Sequence, residues 1–379
     1  MAEVDHSFQS LCWKIKNDGR EYENKNRGVK RLQIPSFTFK HDFNKGFPAI
    51  TNKDLYWKGI VSELLWFLRG QTNVWFLKKD KVAIWDKDAY NQYKRIVGKN
   101  DGEIWNHLYM GIDADGNRTN PVDRADCTSF SLLTIEEFCK LISEAPSYEF
   151  LVENYSCEDY VLGDVGKNYS YQWRNFGGVT DQISVLVEDM RKDIMGSRLK
   201  VNAWNPSELD QTALPPCHSE FQVVGVPLTF GERVRLGYPN GYATNDGTQV
   251  NESLLDALGT PSFGFELHWN QRSVDTFLGL PFNIASYGLL GKILEHLTGF
   301  PLLGIEGTLK CVHFYDNQYE VVDTLLRRPF DTHRNCSLDK INLPTDFQEF
   351  LNSAKISDFA LIGYTSDDAL KVEMLAPRG

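Results

Sequence analysis

No apolar run in this 379-residue chain reaches the roughly 18 residues that a membrane-spanning helix requires, so no membrane partner is expected. The first residues, Met1-Ala2-Glu3-Val4-Asp5, are acidic and lack the apolar core of a signal peptide. Cys-x-x-Cys pairs are absent. The seven cysteines, at 12, 127, 139, 157, 217, 311 and 336, are odd in number and irregularly spaced. That pattern suggests neither a disulfide framework nor a zinc site, and a reducing cytoplasm (a host's, for a viral protein) is the expected home with no metal. Positive charge is also short. Forty Lys and Arg against 51 Asp and Glu leave a formal charge of −11, which argues against a nucleic-acid partner. A local arginine cluster can nonetheless hold phosphate on an acidic protein. Internal repeats and low-complexity segments are missing too.

What is present is a 42% hydrophobic chain long enough to bury a substantial core. Residues 1 to 25 read as a helix and a polar loop, and Asn26 to Arg31 as a basic, glycine-containing turn or anion loop. Leu32 to Phe43 alternates and predicts a strand. Ile60 to Leu68 is an apolar helix closed by Gly70, with Glu63 inside it. That glutamate belongs either on an exposed face or beside a site with a raised pKa. Asp181 to Lys192 predicts an amphipathic helix, Leu199 to Trp204 a strand, Asn283 to Gly299 a helix, and Lys310 to Tyr315 a short strand. Two stretches, about 87–162 and 225–260, break the pattern and read as insertions, the second as long loops. Asp113 to Asn117 resembles part of a calcium loop but lacks the closing glutamate, so a polar turn is expected.

Leu214-Pro215-Pro216-Cys217-His218 stands out. Two prolines bar helix and central strand before Cys217, and the alternating Phe221 to Val224 predicts a strand after it. A cysteine at such a rigid entry is either a presented nucleophile or a small buried hydrophobe.

Further blocks accompany it in order: Gly46-Phe47-Pro48, Glu63 to Leu68, Ile84-Trp85-Asp86, Tyr169 to Arg174, Ala203-Trp204-Asn205, Gln271 to Asp275, Gly279 to Tyr287, and His313-Phe314-Tyr315. Together they resemble the thymidylate synthase family across most of the chain. The resemblance implies one α+β domain over residues 1–379, a large mixed β-sheet packed by helices, with the two insertions. It implies a homodimer that binds dUMP and 5,10-methylenetetrahydrofolate as co-substrate. On that likeness Cys217 matches the nucleophile that adds to C6 of uracil, its thiolate favoured by Arg272. Glu63, Tyr169 and His218 match the residues that move protons. Arg272, Ser273 and an early arginine, Arg27 or Arg31, match phosphate binders, and Arg198 the arginine that serves the neighbouring subunit. His313 and Tyr315 match the binders of the sugar 3′-hydroxyl. Asn283, beside Gln271, matches the uracil reader, with a helix N-cap as the plainer alternative. Asp275, followed by Leu278 and Gly279, matches the pterin anchor, and Trp85 the aromatic wall.

The chain departs from the family pattern at Ser197-Arg198, at Lys310-Cys311-Val312, at Asp88-Ala89 where a second tryptophan is usual, and in a tail running on through Pro377-Arg378-Gly379. An overhanging tail and a thinner aromatic wall would admit water, since hydride transfer needs a dry cavity. The favoured expectation is therefore deoxyuridylate hydroxymethylation, of the kind phages use in DNA modification. Methylation to dTMP is the alternative, and a non-catalytic nucleotide- or RNA-binding relative a distant third.

Overall fold

A computed structural model describes residues 3–24, 29–98, 106–119, 127–238, 249–329, 334–373 and 375. The chain gathers into two compact units, one of Met1–Tyr56, Gln182–Asn202 and Cys217–Met374, the other of Trp57–Asp181, Ala203–Pro216 and Leu375–Gly379.

The first unit is built on a mixed sheet. Its strands are β1 (Arg20–Asn24), β2 (Val29–Asp42), β3 (Lys200–Asn202), β4 (His218–Pro227), β5 (Phe263–Gln271), β6 (Val274–Asp275) and β7 (Leu302–Tyr315). They run in the order β1-β2-β7-β5-β4-β3, with β6 beside the end of β7. β7 is parallel to β5 and β6, and the remaining neighbours are antiparallel. Alternation decides the faces: Phe221 and Val223 on β4, and Phe265, Leu267 and Trp269 on β5, are buried. The helix Gly279–Thr298 packs on β5 and β7. Its Tyr287 ring stacks on Trp269 with centroids 4.8 Å apart and planes 13° apart. Burying each such ring contributes on the order of 1.5–3 kcal/mol. The indole lies flat because Gly307 is under it, where a Cβ would come within 2.3 Å of the ring.

That helix begins at Gly279, one turn before the expected Asn283, because Pro281 fits a first turn whose N–H groups have no intrahelical partner. It ends as expected at Gly299, in the left-handed conformation with φ 79°. The strand expected from Lys310 is longer and begins at Leu302. Near its end Cys311 adopts φ 46° opposite Pro35, where the ladder pairing skips from Lys310↔Ser36 to Val312↔Ile34. Pro35 has no N–H to offer there. Past this kink Val312, His313 and Phe314 are all buried, so both faces of the strand are covered.

The stretch 225–260 is not simply loop, a correction to the sequence reading. It carries helices Phe230–Gly237 and Glu252–Ala257, the first opened by a Thr229/Glu232 capping box and the second by Asn251. Arg233 ties them by reaching Glu252 and Asp256. Val234, Val250 and Leu255 make their small core. Helices of six to eight residues offer too few apolar positions for periodicity to register.

In the second unit, helix Trp57–Leu68 buries Ile60, Val61, Leu64, Leu65, Trp66 and Phe67. Arg174, on helix Tyr169–Asn175, donates to the Leu68 carbonyl at its end and holds Asp181 at 2.7 and 2.9 Å. The described residues between 87 and 162 also form local structure, with helix Asp86–Val97, a three-stranded sheet (Tyr109–Asp113, Arg118–Thr119, Cys127–Leu132) and helices Ile135–Glu144 and Tyr148–Asn154. Asp113 to Asn117 is a polar turn, the Asp113 carboxylate accepting from the Asp115 and Asn117 backbone. Among the described residues no helix is long and apolar enough to cross a membrane, and no His/Cys/Asp/Glu group is arranged to hold a metal.

Candidate active site

In the first unit the strand ends of β4, β5 and β6 bring most of the expected residues together. Cys217 is half-buried, forms no disulfide, and immediately precedes β4. Its carbonyl accepts the Arg272 N–H at 2.8 Å, which ties the loop after β5 to the cysteine. The Arg272 side chain is exposed and Ser273 is half-buried next to it. His218 Nδ1 lies 3.0 Å from the Tyr287 hydroxyl. Burial pushes the His218 pKa down to about 3, so its ring is neutral near pH 7. The same cause raises the Tyr287 phenol, which keeps its proton.

Asn283 lies in the second turn of its helix and is not an N-cap, which removes that alternative. Gln271 is buried and donates through Nε2 to Asn283 Oδ1 at 3.0 Å. Gln271 is itself fixed by the Trp269 indole N–H at 3.3 Å and by a bond to the Ser273 carbonyl at 3.3 Å. The Asn283 amide is thus oriented, with Nδ2 free of that contact as a donor and a second lone pair remaining on Oδ1. This donor–acceptor edge complements O4 and N3–H of uracil.

Asp275, on β6, is held by the Leu278 N–H at 3.0 Å and by Gln318 Nε2 at 3.0 and 3.1 Å. Burial raises its pKa, partly offset by these bonds and by the charge of Lys53. Gly279 separates Asp275 from Asn283. A Cβ there would lie 3.7 Å from Asp275 Cβ and 3.9 Å from Asn283 Oδ1, so glycine leaves that space open. An acceptor carboxylate beside an open space suits the N–H edge of a pterin.

His313 and Tyr315 sit at the end of β7, rings 4.8 Å apart edge to face. Thr276 N–H donates to the His313 carbonyl at 3.0 Å, linking this corner to Asp275. Arg198 is not in this group. It is exposed just ahead of β3, the far edge strand, three strands from β7. Arg27, like tail residues 376–379, lies outside the described residues.

The second unit gathers the others. Trp85 donates its indole N–H to Glu63 Oε1 at 2.6 Å. Burial pushes the Glu63 pKa up to about 7 although that bond favours the carboxylate. Around the pair stand Trp66, Phe67 and Tyr169, with Trp66–Trp85 centroids at 5.5 Å and Phe67–Tyr169 at 5.0 Å. A carboxyl that is half protonated near neutral pH, set among aromatic rings, is suited to passing a proton in either direction. Asp88 is half-buried, and burial pushes its carboxyl up to about 6.

The profile of the thymidylate synthase family matches residues 6–376. The chain belongs to the thymidylate synthase family. It is 32% identical to the probable thymidylate synthase of Escherichia phage T5, over 93% of this chain and 94% of that one. It is 30% identical to the thymidylate synthase of Malacoplasma penetrans, over 88% and 86%. Members of the thymidylate synthase family are folate-dependent one-carbon transferases, and this chain is an enzyme of that class. Three residues in the site escaped the sequence reading. Tyr287 lay within the block Gly279 to Tyr287 but was given no role there, Gln318 sits 43 positions from Asp275, and Lys53 is a buried lysine bonded to the Phe277 carbonyl. Burial pushes the Lys53 pKa down to about 8. Only the three-dimensional pairing singles them out.

Proposed function

We propose that the protein methylates C5 of dUMP to give dTMP, consuming 5,10-methylenetetrahydrofolate. The observation that carries this reading is the Trp85–Glu63 bond inside an aromatic enclosure. Hydride transfer requires a dry environment, and a carboxyl set among aromatic rings in this way is suited to one. Cys217 forms the bond to C6 of the uracil, and the C5=C6 electron pair moves onto O4, which makes C5 nucleophilic. When bound, the folate supplies the one-carbon unit and the hydride. Asn283, oriented by Gln271, holds O4 and N3–H. Glu63 and Tyr169 serve the proton steps of the same reaction, and neutral His218 acts with Tyr287 as a hydrogen-bonding pair. Arg272 and Ser273 take the phosphate, with Arg27 as a further contributor, and Asp275, Leu278 and Gly279 take the pterin.

The sequence reading favoured hydroxymethylation, and one observation still supports it as a second reading. Asp88, one of the two residues standing at the place of the family's second tryptophan, carries a desolvated carboxyl, and a carboxyl binds water. Chromatography of a single reaction on dUMP and methylenetetrahydrofolate decides between them. The expected products are dTMP and dihydrofolate. A majority of 5-hydroxymethyl-dUMP would establish the second reading in place of the first.

The remote, exposed position of Arg198 supports a homodimer in which Arg198 of the partner subunit reaches the phosphate. Light scattering should give about twice the 43.4 kDa chain mass, and a single-chain mass at micromolar concentration overturns this assignment.

Asn283→Asp is expected to reduce the preference for dUMP over dCMP. The aspartate still accepts from N3–H but meets O4 with a second oxygen, which costs about 1–3 kcal/mol for an unsatisfied buried pair. Competitive binding of the two nucleotides measures it. An unchanged preference would leave Asn283 a structural role only.

A further inference from the structure

Where β2 runs antiparallel to β7, four polar side chains meet, and three carry a buried atom with no hydrogen-bond partner. Gln33 pairs with His313 and Arg31 with Tyr315 in the register. Directly opposed residues share one face, with Cβ atoms about 4.5–5.5 Å apart. The Arg31 guanidinium also lies over the Tyr22 ring, 4.9 Å from its centroid, on the other side. The three unpartnered atoms are Arg31 Nε, Gln33 Oε1 and His313 Nε2. Buried polar atoms are nearly always paired, so three at adjacent positions mark the imprint of a ligand.

Chemistry fixes the role of each atom. His313 Nδ1 lies 2.6 Å from the Cys311 carbonyl, which can only accept, so Nδ1 carries the proton. Burial, with the nearby Arg31 charge, pushes the His313 pKa down to about 4, so the ring is neutral and Nε2 presents a lone pair. Gln33 Oε1 is a second acceptor, and Arg31 Nε is a donor. One donor beside two acceptors complements a hydroxyl accompanied by a water. The hydroxyl oxygen accepts from Arg31 and its hydrogen goes to one acceptor, while the water fills the other. A phosphate in that place has no hydrogen to give to either acceptor.

We propose that Arg31 and Gln33 complete the sugar subsite beside His313 and Tyr315, and that Gln33 is a specificity-determining residue which selects a free 3′-hydroxyl and turns away a 3′-phosphate. The assignment rests on the reading of this unit as the dUMP binder. It gives Arg31 to the sugar and leaves the 5′-phosphate to Arg272, Ser273, Arg27 and Arg198 of the partner subunit.

Calorimetric titration of the full chain with dUMP, 2′,3′-dideoxyuridine 5′-monophosphate and 2′-deoxyuridine 3′,5′-bisphosphate tests it. Wild type should bind each of the two analogues about tenfold more weakly than dUMP. In Gln33→Leu the loss on removing the hydroxyl should shrink to about twofold, with the dideoxy analogue bound as in wild type. Equal binding of dUMP and the dideoxy analogue by wild type overturns the subsite without any variant. An unchanged dUMP-to-dideoxy ratio in Gln33→Leu overturns the role of Gln33, since its amide is then spent on the imidazole. Absence of any dUMP binding would instead defeat the nucleotide reading and the subsite with it.

Discussion

Cys217→Ser is expected to lower turnover at least about a thousandfold while dUMP binds within about threefold of wild type. Serine is nearly isosteric, but its hydroxyl is hardly ionised near neutral pH and is a far weaker nucleophile. The binding contacts lie elsewhere: the uracil edge is read by Asn283, which Gln271 holds at 3.0 Å, and the exposed Arg272 side chain is unaltered. The backbone bond from the Arg272 N–H to the residue 217 carbonyl does not depend on the side chain, so the loop should keep its place. Single-turnover kinetics and a parallel titration with dUMP make the measurement. Activity above roughly a hundredth of wild type would remove Cys217 from its role. Loss of binding together with turnover would show instead that the substitution disturbed the loop.

The presentation of Cys217 was legible in the sequence because its cause is local. Pro215 and Pro216 forbid regular structure, and the alternation from Phe221 announces the strand that follows. The apolar helix around Glu63 was legible for the same reason, as was its stop at Gly70. What stayed hidden depends on distant partners. Whether Glu63 was exposed or buried with a raised pKa could not be read from its own helix, since Trp85 stands 22 positions away. The strand expected over Lys310 to Tyr315 proved to be only the end of β7, which starts at Leu302 and includes Gly307, a glycine that admits the Trp269 ring. The short helices at Phe230 and Glu252 were missed because their stability comes from caps and from the Arg233 clamp and not from a long apolar stripe. Asn283 shows the converse. Its residue type suggested an N-cap, yet Pro281 starts the helix earlier and frees the amide for Gln271.

Glu63→Gln is expected to lower kcat by about a hundredfold to ten-thousandfold, the range for loss of a positioned acid–base group, with dUMP affinity little changed. Glutamine keeps the size of the side chain and can still accept the Trp85 N–H, so the aromatic enclosure should persist. What it lacks is a proton to exchange. The sign of the pH effect follows from the direction of the shift. Burial raises the carboxyl from 4.5 to about 7, so the protonated form dominates below that value and the carboxylate above it. Where the protonated carboxyl is the active form, wild-type kcat should fall as pH rises through about 7, and Glu63→Gln should lose that limb. Stability carries the same signature. Between 4.5 and about 7 the folded state holds a proton that the unfolded state has released, so this group makes folding less favourable as pH rises across that window. Thermal melts of Glu63→Gln should therefore drop less steeply than wild type over the interval. A variant with the wild-type pH limb intact would assign that limb to another group, and Asp88, pushed up to about 6, would be the next carboxyl to substitute.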